Sequence, residues 1–93
     1  MKKVYKFKAG VWLWPGVGAW HFINVPEKVS EEIRSKYGKG MIKVRSSVKD
    51  ATWDTSLFPH KKSKGYLLCI KSSVRKKVGI YENDIIGISF SVV

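Results

Sequence analysis

Val25-Pro26-Glu27-Lys28-Val29-Ser30-Glu31-Glu32-Ile33 and Ile70-Lys71-Ser72-Ser73-Val74-Arg75-Lys76-Lys77-Val78 set their apolar residues at matching positions, 45 residues apart. In each, a branched apolar residue ends a strand-like run. Two more follow at four-residue spacing, the interval that returns side chains to one face of a helix. Downstream, Ile42, Val44 and Val48 match Ile86, Ile88 and Val92 at an offset of 44. Alternation with a period of two makes both of these segments strands with one buried face. Each half of the chain therefore reads strand, strand, short helix, strand. Two β-β-α-β units, about 1–48 and 49–93, packed around a pseudo-twofold axis would bury both apolar faces and leave few free edges. Apolar residues recur often in β-proteins, so chance also produces matches of this kind; duplication is the reading adopted. The expectation is one mainly β, barrel-like domain over 1–93, capped by two short helices.

Outward from these segments, Val4 to Trp14 reads as one long strand. Tyr5, Phe7, Ala9, Val11 and Leu13 fall on one face, and Lys6, Lys8, Gly10, Trp12 and Trp14 on the other. Pro15-Gly16 signals a turn, and Ala19 to Val25 returns as the second strand of a hairpin. Pro26 closes that strand because it has no N–H to donate. Glu27, Glu31 and Glu32 early and Arg34 and Lys36 late suit the dipole of the first helix, which Gly38 and Gly40 end. Met41–Val48, Ala51–Phe58 and Tyr66–Ile70 read as strands, with a basic loop at 59–65. Ser72 or Ser73 is expected to cap the second helix and Gly79 to stop it. Asn83 suits a left-handed turn before a final strand over Ile85–Val93.

Composition bounds the function. A chain of 93 residues supports one thin core and no deep cleft between domains. One cysteine, Cys69, excludes an internal disulfide, and with His21 and His60 it cannot build a four-ligand zinc site. No apolar run approaches the ~20 residues of a membrane span, and no signal-peptide core follows the basic N-terminus, so a cytoplasmic location is expected. Eighteen Lys and Arg against seven Asp and Glu leave a formal charge of +11. Such a field attracts polyanions, although lysines also keep small β-proteins soluble and their edges unpaired.

Thr52-Trp53-Asp54-Thr55-Ser56-Leu57-Phe58-Pro59, Gly65-Tyr66-Leu67-Leu68 and Lys71-Ser72-Ser73-Val74-Arg75-Lys76-Lys77 resemble a family of small bacterial and archaeal domains of unknown function. Its members occur alone or fused to a YdeI/OmpD-associated, bacteriocin-protection-like domain. Gly18 to Pro26 and Ile80 to Ile86 resemble the same family's first half and last turn. The resemblance implies a double-split β-barrel, the pseudobarrel shared with swapped-hairpin transcription factors and antitoxins related to AbrB and MazE. Cys69 stands where such sequences often carry proline, and Asn83 where glycine usually precedes the aspartate. The family has no established activity, so it assigns no catalytic residue.

Three groups of residues carry candidate chemistry. Asp54, Ser56 and His60 have the residue types of a hydrolytic triad, but triads draw on distant segments and no nucleophile elbow surrounds Ser56. No catalytic residue, metal site or cofactor is therefore assigned. Trp53, Thr55, Ser56, Lys71, Arg75 and Lys76 form a candidate anion or ligand pocket, the alternative being a solvated helix face. Lys6, Lys8, Trp12, Trp14, Lys43 and Arg45 form a candidate stacking and basic surface, where rings would stack bases while cations hold phosphates. The alternative is that both tryptophans cover a barrel end, with Trp20 and Trp53 in the packing. The expected function is a non-catalytic binding module for nucleic acid or another polyanion. A protein-interaction or small-molecule-binding accessory domain is the alternative, and a small hydrolase comes third.

Overall fold

The computed structural model describes residues 3–38, 40–61 and 65–93. Seven strands and two helices follow in the order β1 (Tyr5–Gly10), β2 (Trp12–Leu13), β3 (His21–Asn24), α1 (Glu27–Tyr37), β4 (Ile42–Val48), β5 (Ala51–His60), β6 (Gly65–Cys69), α2 (Ser72–Val78) and β7 (Ile85–Val92). All strand pairs are antiparallel, in the sheet order β1-β7-β4-β5-β6-β3-β2. The two outermost strands, β1 and β2, are separated in the chain by Val11 alone. The sheet's ends therefore meet, and the fold is a mainly β, nearly closed barrel with two short helices.

This closure corrects the expectation of one strand from Val4 to Trp14. A single straight strand cannot pair with both β7 and β3, so the chain turns a corner at Val11. The buried Val11 is pinned there, its N–H donating to Asp84 O at 2.8 Å while Asn83 N–H donates to Val11 O at 2.7 Å. Beyond the corner the expected alternation fails, and Leu13 is exposed. The expected hairpin exists only past this point, as Trp12 opposite Phe22 and Leu13 opposite His21.

The register across the two central pairings follows the sequence offsets. In β3–β6, Ile23 lies opposite Leu68, 45 positions on, and the flanking bonds Val25 N–H to Tyr66 O and Ile70 N–H to His21 O interchange under that offset. In β4–β7, Ser46 lies opposite Phe90, 44 positions on.

The interior is filled by alternate residues: Ile42, Val44, Ser46 and Val48 of β4, Ala51, Trp53 and Leu57 of β5, and Ile86, Ile88, Phe90 and Val92 of β7. Burial of such side chains at about 25 cal/mol per Å² of apolar surface is the main stabilising term. Ile33 of α1 and Val74 of α2 join this core. α1 is also tied to β1, because Glu32 accepts from Lys3 Nζ at 2.8 Å and Tyr5 Oη at 2.6 Å. These partners lower the Glu32 carboxyl to about 2, with Lys3 the larger cause. Burial first, then Glu32, raises the Tyr5 hydroxyl to about 12.

Two boundaries differ from expectation. Ser72 and Ser73 lie inside α2; Lys71 is its N-cap and no side chain caps it. Pro59 and His60 extend β5 instead of opening the loop, with Pro59 opposite Tyr66. They lie beyond Leu57, the last β5 residue paired with β4, so Pro59 takes no place in the β4–β5 ladder. Residues 62–64 of the expected basic loop lie outside the described residues. No helix among the described residues is long and apolar enough to cross a membrane.

Candidate functional site

The outer surface of the barrel carries two chemically opposite faces, and the strand pairings fix both. Cross-strand partners share a face, so the first can be read from the register of β1, β7, β4 and β5. Lys6 stands opposite Ser89, Ser89 opposite Ser47, and Ser47 opposite Thr52. One row on, Lys8 stands opposite Gly87; on the other side, Ser91 stands opposite Arg45 and Arg45 opposite Asp54. Lys43 follows, opposite Ser56. Small residues of β7 thus form the middle of a trough, with Lys6 and Lys8 on one bank and Lys43 and Arg45 on the other. Lys49, in the left-handed conformation (φ 54°) at the β4–β5 turn, joins Lys6, Lys8, Ser47, Gly87 and Ser89 around a depression of about 410 Å³.

The one carboxylate within these rows is Asp54. Arg45 Nε donates to it at 2.9 Å, and this bond is the main reason its carboxyl lies below the ordinary range. Asp54 is therefore held as an anion, unsuited to general-base work near neutral pH. Its sequence neighbour on the same face, Ser56, faces Lys43 across the ladder.

The second face covers β2, β3, β6 and β5. β6 is buried at all five positions, whereas a strand lying on a core from one side would alternate. Tyr66 and Leu68 belong to the main core, but Leu67 and Cys69 do not. Those two point the other way, and aromatic side chains cover that side. Trp12, Trp14 and Phe22 form a three-ring cluster with centroids 5.5–5.8 Å apart, and Trp12 Nε1 donates to Asn24 Oδ1 at 2.6 Å. Phe22 lies opposite Cys69 across β3–β6, and Phe58 lies opposite Leu67 across β5–β6.

Trp14, Trp20, Phe22, Thr55, Phe58, Cys69 and Lys71 line a cleft of about 490 Å³. Trp14 and Trp20 are 42% and 54% exposed. The loop between them is tightly built. Trp14 N–H donates to Trp20 O at 2.8 Å, and Ala19 is held in the left-handed region (φ 51°), its carbonyl 2.8 Å from His21 Nδ1. A Cβ on Gly18 (φ 106°) would lie 2.6 Å from Trp20 Nε1, so the indole packs directly over that backbone. On the floor, burial pushes the Cys69 thiol up, against the opposing pull of Arg75 and Lys71. A thiol so raised stays protonated near neutral pH and is a poor nucleophile.

The residues singled out from sequence are divided between these places. Lys6, Lys8, Lys43 and Arg45 share the cationic face. Trp12 and Trp14 do not join them, because the corner at Val11 sends them to the aromatic face. Thr55 and Lys71 line the cleft. Trp53 is 6% exposed and packs in the core, and its Nε1 has no hydrogen-bond partner among the described residues. Arg75 lines a neighbouring depression with Lys71 and donates from Nε to Ile70 O at 3.2 Å, while Lys76 is exposed on α2. Among the described residues, no three His, Cys, Asp or Glu side chains are grouped as a metal site would require.

Sequence reasoning missed the placement of Trp20, Phe22, Phe58 and Lys49. The unbroken apolar run Tyr66-Leu67-Leu68-Cys69 was a usable signal. A strand apolar on both faces must be covered on both, and unassigned aromatics are what can cover it.

A family model described as a domain of unknown function (DUF1905) matches residues 7–89. No curated protein matches the chain.

Proposed function

The chain belongs to the DUF1905 family, and from that premise we propose that it is a non-catalytic binding module whose cationic strand face takes the phosphate backbone of a nucleic acid or a comparable polyanion. One observation carries this reading: Lys6, Lys8, Lys43, Arg45 and Lys49 surround a trough of Gly87, Ser89 and Ser91, and the single carboxylate in the rows is already held by Arg45. Small residues let a phosphate chain approach the sheet. Hydroxyls at Ser47, Ser89 and Ser91 add neutral donors, and the banks supply charge.

The barrel is read further as a double-split barrel of two β-β-α-β units, about 1–48 and 49–93. The twofold-related registers at Ile23–Leu68 and Ser46–Phe90 support that reading. A non-catalytic role is supported by the engagement of Asp54 with Arg45 and by the raised Cys69 thiol. The cytoplasm is the proposed location, on composition.

Titration of a fluorescent oligonucleotide at several salt concentrations tests the function. The four cations other than the Asp54-paired Arg45 predict a log–log slope of about −2.8 to −3.6. The Lys6→Glu/Lys8→Glu variant should bind about a hundredfold more weakly at low salt, two cations having become two like charges. Absence of binding at low salt, or a slope near zero, would sink the proposal. Heparin as competitor separates a general polyanion site from one that prefers nucleic acid.

A further inference from the structure

The aromatic cleft has no role in polyanion binding at the cationic face, and its construction points to a ligand of its own. We infer that it binds a small, flat aromatic molecule carrying one anionic group, the ring held among Trp14, Trp20 and Phe58 and the anion at Lys71.

Three observations carry the inference. The cleft, at about 490 Å³, has the size of a small-molecule site, and its walls are mostly aromatic with few polar groups, Thr55 and Lys71 among them. Its rings leave the cleft open because one of them stands clear of the others. Trp12, Trp14 and Phe22 pack together as one wall, whereas Trp20 is held apart on the loop that left-handed Ala19 and Gly18 define. Non-glycine residues in that conformation are strained by about 1 kcal/mol or more, and such strain gathers where a side chain must be aimed. Finally, the cation at the rim is not held in an ion pair. Lys71 forms no ion pair among the described residues, and Asp54, the carboxylate that feels it, is engaged by Arg45. A ring stacks on aromatic faces without sequence or shape constraint beyond flatness. An ammonium at the edge of an apolar cleft then selects rings that carry a carboxylate or phosphate.

The test is an NMR titration of the ¹⁵N-labelled full chain with 1-naphthoate, 1-naphthyl phosphate and the neutral 1-naphthalenemethanol. Saturable shifts confined to the Trp14 and Trp20 indoles and the amides around Thr55 and Cys69 are expected for the acids. The neutral alcohol and the Lys71→Glu variant should each lower affinity about tenfold or more. Lys71 is exposed, so this variant is expected to fold, which an unchanged reference spectrum would verify. The anion that binds more tightly identifies the acidic group. No saturable shift at millimolar probe, equal affinity for the alcohol, or undiminished binding by Lys71→Glu would each overturn the inference.

Discussion

The cationic trough and the aromatic cleft occupy two faces of one seven-stranded barrel, each centred on a pairing that a sequence offset maps onto itself. Beneath the trough the central pair is Ser46–Phe90; beneath the cleft it is Ile23–Leu68. The backbones are alike and the chemistry is opposite. In the trough, Lys43 and Arg45 of β4 have Gly87 and Ser89 as their counterparts 44 positions on, so one strand carries charge where its equivalent carries small residues. That difference makes a groove with a charged bank instead of a uniformly bristling sheet. In the cleft, Phe22 and Leu67 are counterparts and both are apolar. Under the proposed duplication, a repeated backbone would supply the frame and differences at equivalent positions the two surfaces.

If the faces act independently, their variants should separate cleanly. Lys6→Glu/Lys8→Glu, the largest effect expected, should abolish most oligonucleotide binding and leave naphthoate binding unchanged. Lys71→Glu should do the reverse. Loss of both activities in either variant would show that one ligand spans both faces, with β5 as the bridge.

The cleft should also be the face most easily broken through its backbone. Gly18→Ala introduces a Cβ against the Trp20 indole at an unfavourable φ. A loss of about 1–3 kcal/mol in chemical denaturation is expected, together with loss of naphthoate binding while oligonucleotide binding survives. An unchanged cleft in this variant would mean that the loop does not aim Trp20.

The core beneath the trough contains a buried hydroxyl that makes no hydrogen bond among the described residues. Ser46 Oγ is fully buried without a hydrogen-bond partner among the described residues, next to the equally unpartnered Trp53 Nε1 across the β4–β5 ladder. Removing such a hydroxyl relieves its desolvation, so Ser46→Ala should be neutral or stabilise the fold by about 1 kcal/mol. A loss greater than that would mean the hydroxyl has a stabilising partner.

A smaller, pH-dependent difference concerns how β1, one bank of the trough, is tied to α1. Glu32 has its carboxyl lowered to about 2 from an ordinary 4.5, so the stability it contributes is present above pH 4.5 and is lost as pH falls toward 2. Tyr5, raised from 10.0 to about 12, contributes stability below pH 10 that is lost as pH rises toward 12. Glu32→Gln should flatten the acid limb of a denaturation-midpoint profile, and Tyr5→Phe the alkaline limb. Limbs that keep their slope in these variants would place the titrations elsewhere.

Periodicity was enough to locate most elements. The alternation in Ile42–Val48 and Ile85–Val92 and the four-residue spacing in both helices are short-range patterns, and a buried face imposes them directly on the sequence. The cationic face was half legible for the same reason: Lys6, Lys8, Lys43 and Arg45 sit at outward positions of strands that period-two reading identifies. What the sequence could not decide was which outward positions adjoin. That depends on the corner at Val11, where closing the barrel splits one apparent strand between two partners and carries Trp12 and Trp14 away from Lys6 and Lys8. Trp20 is likewise placed by the left-handed loop before it and by the need to cover the outer side of β6. Local patterning is set by each residue's own burial, whereas a surface site is set by the register between segments distant in the chain, which only the closed tertiary structure fixes.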